Sequence, residues 1–297
     1  MFIFLLYYME ESFQCNKEQP KIKLRVLLPG GGVKGCFQVG CITEILKSGR
    51  YTIDKVYGCS IGAILAPFVA NENAGLMLDL FKQIKSIDDV VVRRSYVPNI
   101  LLPLFAFFNW GAYQGFKLVD TVFNVLRSSE IKHAESKCHV VAYDLIDCKP
   151  AWFSGEDLKE GVRCSSALWL AVPPVEFKNS IFSDGGVSGL FQDDYILNDI
   201  GDFDGEYIYI DCSARINNKK HIPTNALDLI NNFHSMALSR ISILELEQFK
   251  QKLGHPFHII RPDTEILLGS LDINPERMEK TFEEGARKGL QFLSDSI

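Results

Sequence analysis

Gly58-Cys59-Ser60-Ile61-Gly62 sets a serine hydroxyl between two glycines. Apolar Val56-Tyr57 precedes it and helix-forming Ala63-Ile64-Leu65-Ala66 follows, the strand–turn–helix context in which G-x-S-x-G becomes a nucleophile elbow. The chemistry implied is attack of a hydroxyl on a carbonyl, and serine needs a base to take its proton. All six histidines (His133, His139, His221, His234, His255 and His258) lie downstream of Ser60, so the order Ser…Asp…His, with His255 or His258 last, is formally open. However, His255-Pro256-Phe257-His258 begins a strand-like stretch with no loop to carry an imidazole over Ser60. Structural roles are therefore expected for the histidines. Asp184, in Ser183-Asp184-Gly185-Gly186, is the alternative base. A carboxylate held against the hydroxyl can act directly if burial raises its pKa. Asp-Gly is also an ordinary turn dipeptide, so this motif alone admits a purely structural reading.

The third group is Gly30-Gly31-Gly32-Val33-Lys34-Gly35. Glycines between a strand and a helix present backbone N–H groups to an anion, and they suit the oxyanion of a tetrahedral intermediate. One such donor is worth about 100- to 1000-fold in rate. The same residues match G-x-G-x-x-G, but a dinucleotide site wants an acidic residue at the end of the second strand. Asp54 precedes that strand, which ends instead in the serine turn. A Walker loop fails because no Gly-Lys-Ser/Thr follows. Cys59 should point away from the Ser60 side chain and is read as packing.

These groups need elements to hold them. Residues 22–28 form an apolar, β-branched run ending at Pro29, which predicts a buried strand. Residues 33–46 have helical spacing, with Val33, Phe37, Cys41 and Ile45 on one face. A strand over 55–59 and a helix after Ser60 complete strand–helix–strand–helix, the signature of an α/β fold with a mainly parallel central sheet covered by helices. Beyond it, helices are expected over 75–92, 116–126 and 158–168, the last stopped by Val172-Pro173-Pro174-Val175. Further helices are expected over 225–252 and 275–293. Strands are expected over 138–145, 151–153, 207–211 and 257–260, with Ile181-Phe182 leading into the Asp184 turn. Pro98 and Pro103 argue against one long helix in the aromatic-rich 96–113. One catalytic domain over 22–297 is expected, with 1–21 as a peripheral extension. Met1 to Met9 is apolar but lacks a preceding Lys or Arg and runs into Glu10-Glu11, unlike a signal peptide. Nine residues are also too few to span a bilayer.

With 31 basic and 37 acidic residues the net charge is −6 and no long basic run exists, which excludes a nucleic-acid partner. Eight cysteines show neither a C-x-x-C pair nor zinc spacing, so reduced thiols and a cytoplasmic location are expected. No carboxylate cluster suggests calcium, and no metal or other cofactor is expected.

Together the three groups resemble the patatin-like phospholipase family of lipid acyl hydrolases, over residues 24–293. The glycine-rich GGGVKG turn is similar to the family's oxyanion hole, which implies that role for Gly30, Gly31, Gly32 and Val33, with Lys34 and Gly35 completing the motif. The elbow, with Gly58 and Gly62, implies Ser60 as nucleophile. Val140-Val141-Ala142-Tyr143-Asp144-Leu145 resembles a central strand, and Cys164 to Pro174 the small-residue helix and proline step before the second catalytic loop. Asp184-Gly185-Gly186 looks like the D-G-G/A motif, making Asp184 the partner in a Ser–Asp dyad. Ile259-Ile260-Arg261-Pro262 and the helix bearing Gly285 also sit where the family has such elements. Pro29 replaces an acidic residue frequent before the glycines, and Ser188-Gly189-Leu190-Phe191 follows where Asn-Pro is common; both bear on substrate preference.

The resemblance implies three layers with helices on both faces of the sheet, an acyl-enzyme, and a phospholipid or other acyl-lipid substrate met at a membrane or micelle surface. Lys34 is then either a positive charge near the hole or a solvated helix-start lysine. The aromatics of 101–110 become an acyl-pocket wall, an exposed cap or core. Leu227, Ile230, Phe233 and Ala237 form an amphipathic stripe. Two other readings stay open: a Ser-His-Asp α/β-hydrolase, and a non-catalytic lipid-binding protein of the same fold.

Overall fold

Leu24, Val26, Leu27 and Leu28 are wholly buried, so β1 (Ile22–Leu28) is covered on both faces, as an internal strand of a parallel sheet must be. The computed structural model describes residues 20–93, 111–169, 171–213, 226–266 and 268–295, and for 226–239 the backbone alone. Arg25 interrupts the apolar run without leaving a buried charge unmet. Its guanidinium donates to Asp54 (2.7 Å), the Asp199 carbonyl (2.8 Å) and the Tyr207 hydroxyl (2.9 Å).

After β1 come α1 (Cys36–Lys47), β2 (Tyr51–Cys59), α2 (Ile61–Ala70) and α3 (Ala74–Gln83). A small ribbon pairs β3 (Val91–Val92) with β4 (Gly115–Phe116), followed by α4 (Lys117–Val125) and α5 (Ser128–Lys137). Next are β5 (Cys138–Asp144), β6 (Lys149–Phe153), α6 (Leu158–Ser165), β7 (Val175–Phe177) and β8 (Ser180–Ser183). The chain closes with α7 (Tyr195–Asn198), β9 (Glu206–Ile210), α8 (Ala226–Leu253), β10 (Phe257–Ile260) and α9 (Pro275–Asp295). Among the described residues no helix is long and apolar enough to cross a membrane.

The main sheet runs β10-β9-β1-β2-β5-β8-β7, with β6 also on β5. Pairing is parallel from β10 to β5 and antiparallel for β6, β7 and β8. Strand side chains alternate between two cores. Val26, Val56, Val140 and Ile208 pack with apolar residues of α1–α4, α6 and α9. Leu27, Tyr57, Val141 and Tyr209 pack with Ile196 of α7 and Leu246, Phe249 and Leu253 of α8. Helices thus cover both faces, giving the expected α/β three-layer architecture. Against α1, the last helix approaches closely at Gly285, where a Cβ would lie 2.1 Å from the Phe37 carbonyl oxygen.

The antiparallel edge explains how distant groups meet. β2 pairs with the first half of β5, ending at Cys59 opposite Val141. β8 pairs with the far end of β5, ending at Ser183 opposite Tyr143. Because β6 occupies the other edge of β5 along Val140–Asp144, β2 and β8 share one edge and arrive from opposite directions. Their ends stand two β5 residues apart, about 7 Å. The β7–β8 hairpin turns on Lys178 and Asn179, both at positive φ (45° and 63°), the geometry of a two-residue type I′ loop.

Most expected elements form, with differences at their ends. The 33–46 helix begins as a 3₁₀ turn (Gly32–Gly35) before α1. The 75–92 helix stops at Gln83: Ile84 is extended (ψ 110°), and Ser86 and Asp89 cap a separate 3₁₀ turn before β3. The 158–168 helix stops at Ser165. Five elements were not anticipated: α5, with only Ala134 buried, the four-residue α7, and the short β3, β4 and β7. The aromatics of 101–110 and the side chains of Leu227, Ile230, Phe233 and Ala237 lie outside the described residues.

Candidate active site

Ser60 leaves β2 at φ 54°, ψ −119°, a region that non-glycine residues rarely adopt. Its neighbours hold it there. A Cβ on Gly62 would stand 1.9 Å from the Leu28 carbonyl oxygen, and one on Gly58 would stand 2.7 Å from the Gly62 carbonyl oxygen. The elbow is thus pressed against β1 and its own helix, and only glycine fits at either flank. Such backbone strain costs about 1–3 kcal/mol and persists only where the surroundings over-determine it. The Ser60 carbonyl accepts from the N–H groups of Ala63 (3.0 Å) and Ile64 (3.2 Å), opening α2. The Ser60 N–H donates to Ser165 Oγ (2.9 Å), whose hydroxyl donates to the Val141 carbonyl (2.6 Å), so α6 and β5 both fix the turn.

The Ser60 hydroxyl donates to Asp184 Oδ2 at 2.7 Å. Asp184 Oδ1 accepts from the Gly186 N–H (2.7 Å), and the Asp184 N–H donates to the Ala167 carbonyl (3.0 Å). Gly185 lets this loop settle on β5, since its Cβ would meet the Val141 carbonyl oxygen at 2.1 Å. Asp184 is 4% exposed. Burial raises its carboxyl from 3.8 to about 6, against the lowering effect of the hydrogen bonds from Ser60 and Gly186. A base of this strength is ionised at neutral pH yet able to hold a proton transiently.

Of the glycine turn, Gly30 lies beside the serine, where its Cβ would be 3.1 Å from Ser60 Cβ. Gly32 takes φ +57° and has no room for a side chain, since its Cβ would fall 2.2 Å from the Ser270 carbonyl oxygen. One of the four residues expected as oxyanion donors is engaged elsewhere. The Val33 N–H donates to the Ser270 carbonyl (3.0 Å). The amides of Gly31 and Gly32 have no acceptor among the described residues. Lys34 has neither an acidic partner there nor a place in the cavity wall. Cys59 is buried, and burial pushes its thiol well up.

Ser60 and Asp184 open into a cavity of about 680 Å³, also lined by Gly30, Gly31, Gly32 and Val33. Its walls are mostly apolar: Ile64, Phe81 and Leu118 are among those contributed before β5, Leu190 and Leu246 after it. Volume and lining suit a small-molecule site. At the rim, Trp169, Val187 and Ile243 are 44%, 39% and 39% exposed.

No described histidine lines this cavity. His258 Nε2 lies 3.0 Å from Glu206, and His255 packs between Phe203 and Tyr207. His139 stacks on Tyr57 and meets the Tyr195 hydroxyl at 2.9 Å; burial lowers it to about 4. His133 is exposed on α5, and the side chains of His221 and His234 lie outside the described residues. Among the described residues, no group of three or more His, Cys, Asp or Glu side chains could hold a metal.

Sequence reasoning missed Ser165 and Ser270. Ser165 stands in the small-residue stretch already singled out, while Ser270 acts through its carbonyl and leaves no side-chain signal. Among solved structures, VipD from Legionella pneumophila is 13% identical with a TM-score of 0.46; the match covers 93% of this chain and 67% of VipD. A family model described as patatin-like phospholipase matches residues 26–190, a stretch that contains the glycine turn, Ser60 and Asp184. That match takes in more than half of the sequence, and the chain belongs to the patatin-like phospholipase family, whose activity is lipid acyl hydrolysis.

Proposed function

We propose that the protein releases fatty acid from phospholipid or related acyl esters through a Ser60–Asp184 dyad and an acyl-enzyme. The observation that carries this reading is the 2.7 Å hydrogen bond from the Ser60 hydroxyl to a buried carboxylate at the wall of an apolar cavity. As Ser60 Oγ bonds to the acyl carbonyl carbon, its proton passes to Asp184 Oδ2. The carbonyl oxygen becomes an oxyanion, met by the amides of Gly31 and Gly32. Collapse breaks the ester bond, and Asp184 returns the proton to the departing alkoxide. Water then gives a proton to Asp184 and its oxygen to the acyl carbon. The second intermediate expels Ser60 Oγ, which regains the proton, and the fatty acid leaves. The exposed rim of Trp169, Val187 and Ile243 supports entry of substrate from a lipid surface.

Ser60→Ala, assayed with phospholipid vesicles and with a fluorophosphonate probe, is expected to lose both fatty-acid release and labelling. A mutant that labels as well as the wild type would refute Ser60 as the nucleophile.

A further inference from the structure

The cavity has a polar end that the acyl chemistry does not use. In open α/β sheets, ligands bind beyond the carboxyl ends of the parallel strands. Here Ser60 follows β2, Gly30 follows β1, Asp211 is the first residue after β9 and Arg261 the first after β10; all four line the cavity. The strand order places Arg261 three spacings from Ser60, about 14 Å along the sheet edge at the main chain. Its side chain shortens that span, because Arg261 Nε donates to Asp211 Oδ2 (2.9 Å), on the strand nearer the serine.

Asp211 is itself fixed. Its Oδ1 accepts from the Ser213 N–H (2.9 Å) and hydroxyl (2.7 Å), and the side chain is 11% exposed. The carboxylate is thus held by two donors of Ser213 and fixes the guanidinium through its Nε. The terminal nitrogens of Arg261 have no acceptor among the described residues and are not sealed from the cavity. A planar fork locked on one edge and open on the other is preorganised for a phosphate oxygen pair.

The rest of the lining narrows the ligand. Glu245 and Glu247 of α8 also face this cavity, and neither is paired with a cation among the described residues. Burial raises the Glu245 carboxyl. A ligand carrying only negative charge would be repelled by them, whereas one with its own ammonium would be attracted.

We propose that Arg261 binds the phosphodiester of the lipid head group, and that Glu245 and Glu247 make a zwitterionic phospholipid the favoured substrate. The inference rests on the acyl-hydrolase reading for its kinetic arm only. In mixed micelles with matched acyl chains, the wild type should cleave phosphatidylcholine faster than phosphatidylglycerol or diacylglycerol. Arg261→Gln should lower the ratio of kcat/KM on phosphatidylcholine to that on diacylglycerol by about tenfold or more, with Arg261→Lys recovering only part of it. Glu245→Gln with Glu247→Gln should narrow the gap between phosphatidylcholine and phosphatidylglycerol. An unchanged phosphatidylcholine-to-diacylglycerol ratio in Arg261→Gln would overturn the assignment, and a wild-type preference for phosphatidylglycerol would overturn the zwitterion.

A binding arm needs no turnover. Calorimetry on Ser60→Ala should show saturable binding of glycerophosphocholine that disappears when Arg261→Gln is added. Equal binding of inorganic phosphate would make this a free-anion site and refute head-group recognition. A wild type that binds glycerophosphocholine through Arg261 but cleaves no ester would sink the hydrolase reading and leave this one standing.

Discussion

Asp184→Asn should remove activity and, above pH 6, make the fold more stable. The carboxyl is buried, and its folded value of about 6 lies above the ordinary 3.8 expected of the unfolded chain. A raised carboxyl binds its proton more tightly when folded. Below 3.8 both states are protonated and ionisation carries no cost. As pH rises from 3.8 through 6 the unfolded chain ionises first, and stability is lost across that window. Above 6 the loss is complete, about 3 kcal/mol at 1.36 kcal/mol per unit. Asparagine has the same shape and no charge, so differences between the two side chains other than ionisation do not vary with pH. Urea denaturation of both proteins at pH 4 and pH 8 therefore isolates the charge. The stability difference, variant minus wild type, should grow by about 2.5 kcal/mol in the variant's favour between those two values. A difference that stays constant, or that moves toward the wild type as pH rises, would mean that the carboxylate is not desolvated as described.

The same group should set the acid limb of the wild-type profile. In the proposed mechanism the ionised carboxylate is the base, so kcat/KM should fall about tenfold per unit below pH 6. His139→Ala, His255→Ala and His258→Ala should leave that limb in place, and its displacement by any of them would count against the dyad. Gly62→Ala drives a methyl group into the Leu28 carbonyl and should cost at least about 1–3 kcal/mol by denaturant titration. Gly75→Ala, on α3 with nothing within 4 Å of its Cβ, should be neutral or stabilising, by up to about 1 kcal/mol; equal behaviour of the two would remove the packing argument. Trp169→Ser with Ile243→Ser should lower the ratio of vesicle to soluble-ester hydrolysis by about tenfold; an unchanged ratio would discount the rim as the lipid contact.

What could be read from the sequence was what is encoded locally. The serine elbow, the glycine turn and the Asp184 turn each carry their constraint within six residues, and the long apolar strands carry theirs within their own length. The parts not read depend on neighbours distant in the chain. That Val33 is engaged by Ser270 follows from packing, not spacing. α5 escaped notice because it buries one side chain and so has no apolar period. The 75–92 segment kept a helical pattern through Ile84, Ile87 and Val90, although the backbone had already turned at Ile84. The β7–β8 hairpin turns on Lys178-Asn179 without the glycine that marks most such turns. Arg261 stood in a recognised motif, but its clamp on Asp211 joins two strands some 50 residues apart.

That hairpin decides whether Ser60 and Asp184 meet at all. Strand register is discrete: sliding β8 by one residue along β5 would shift Asp184 by about 3.4 Å and turn its side chain to the opposite face. Contact between hydroxyl and carboxylate is therefore switched by whole steps rather than adjusted by degrees. Substitutions at Lys178 or Asn179 should sort molecules into competent and silent populations, and a mixture of the two would mimic a slower catalyst in bulk rates while burst titration counted fewer working sites.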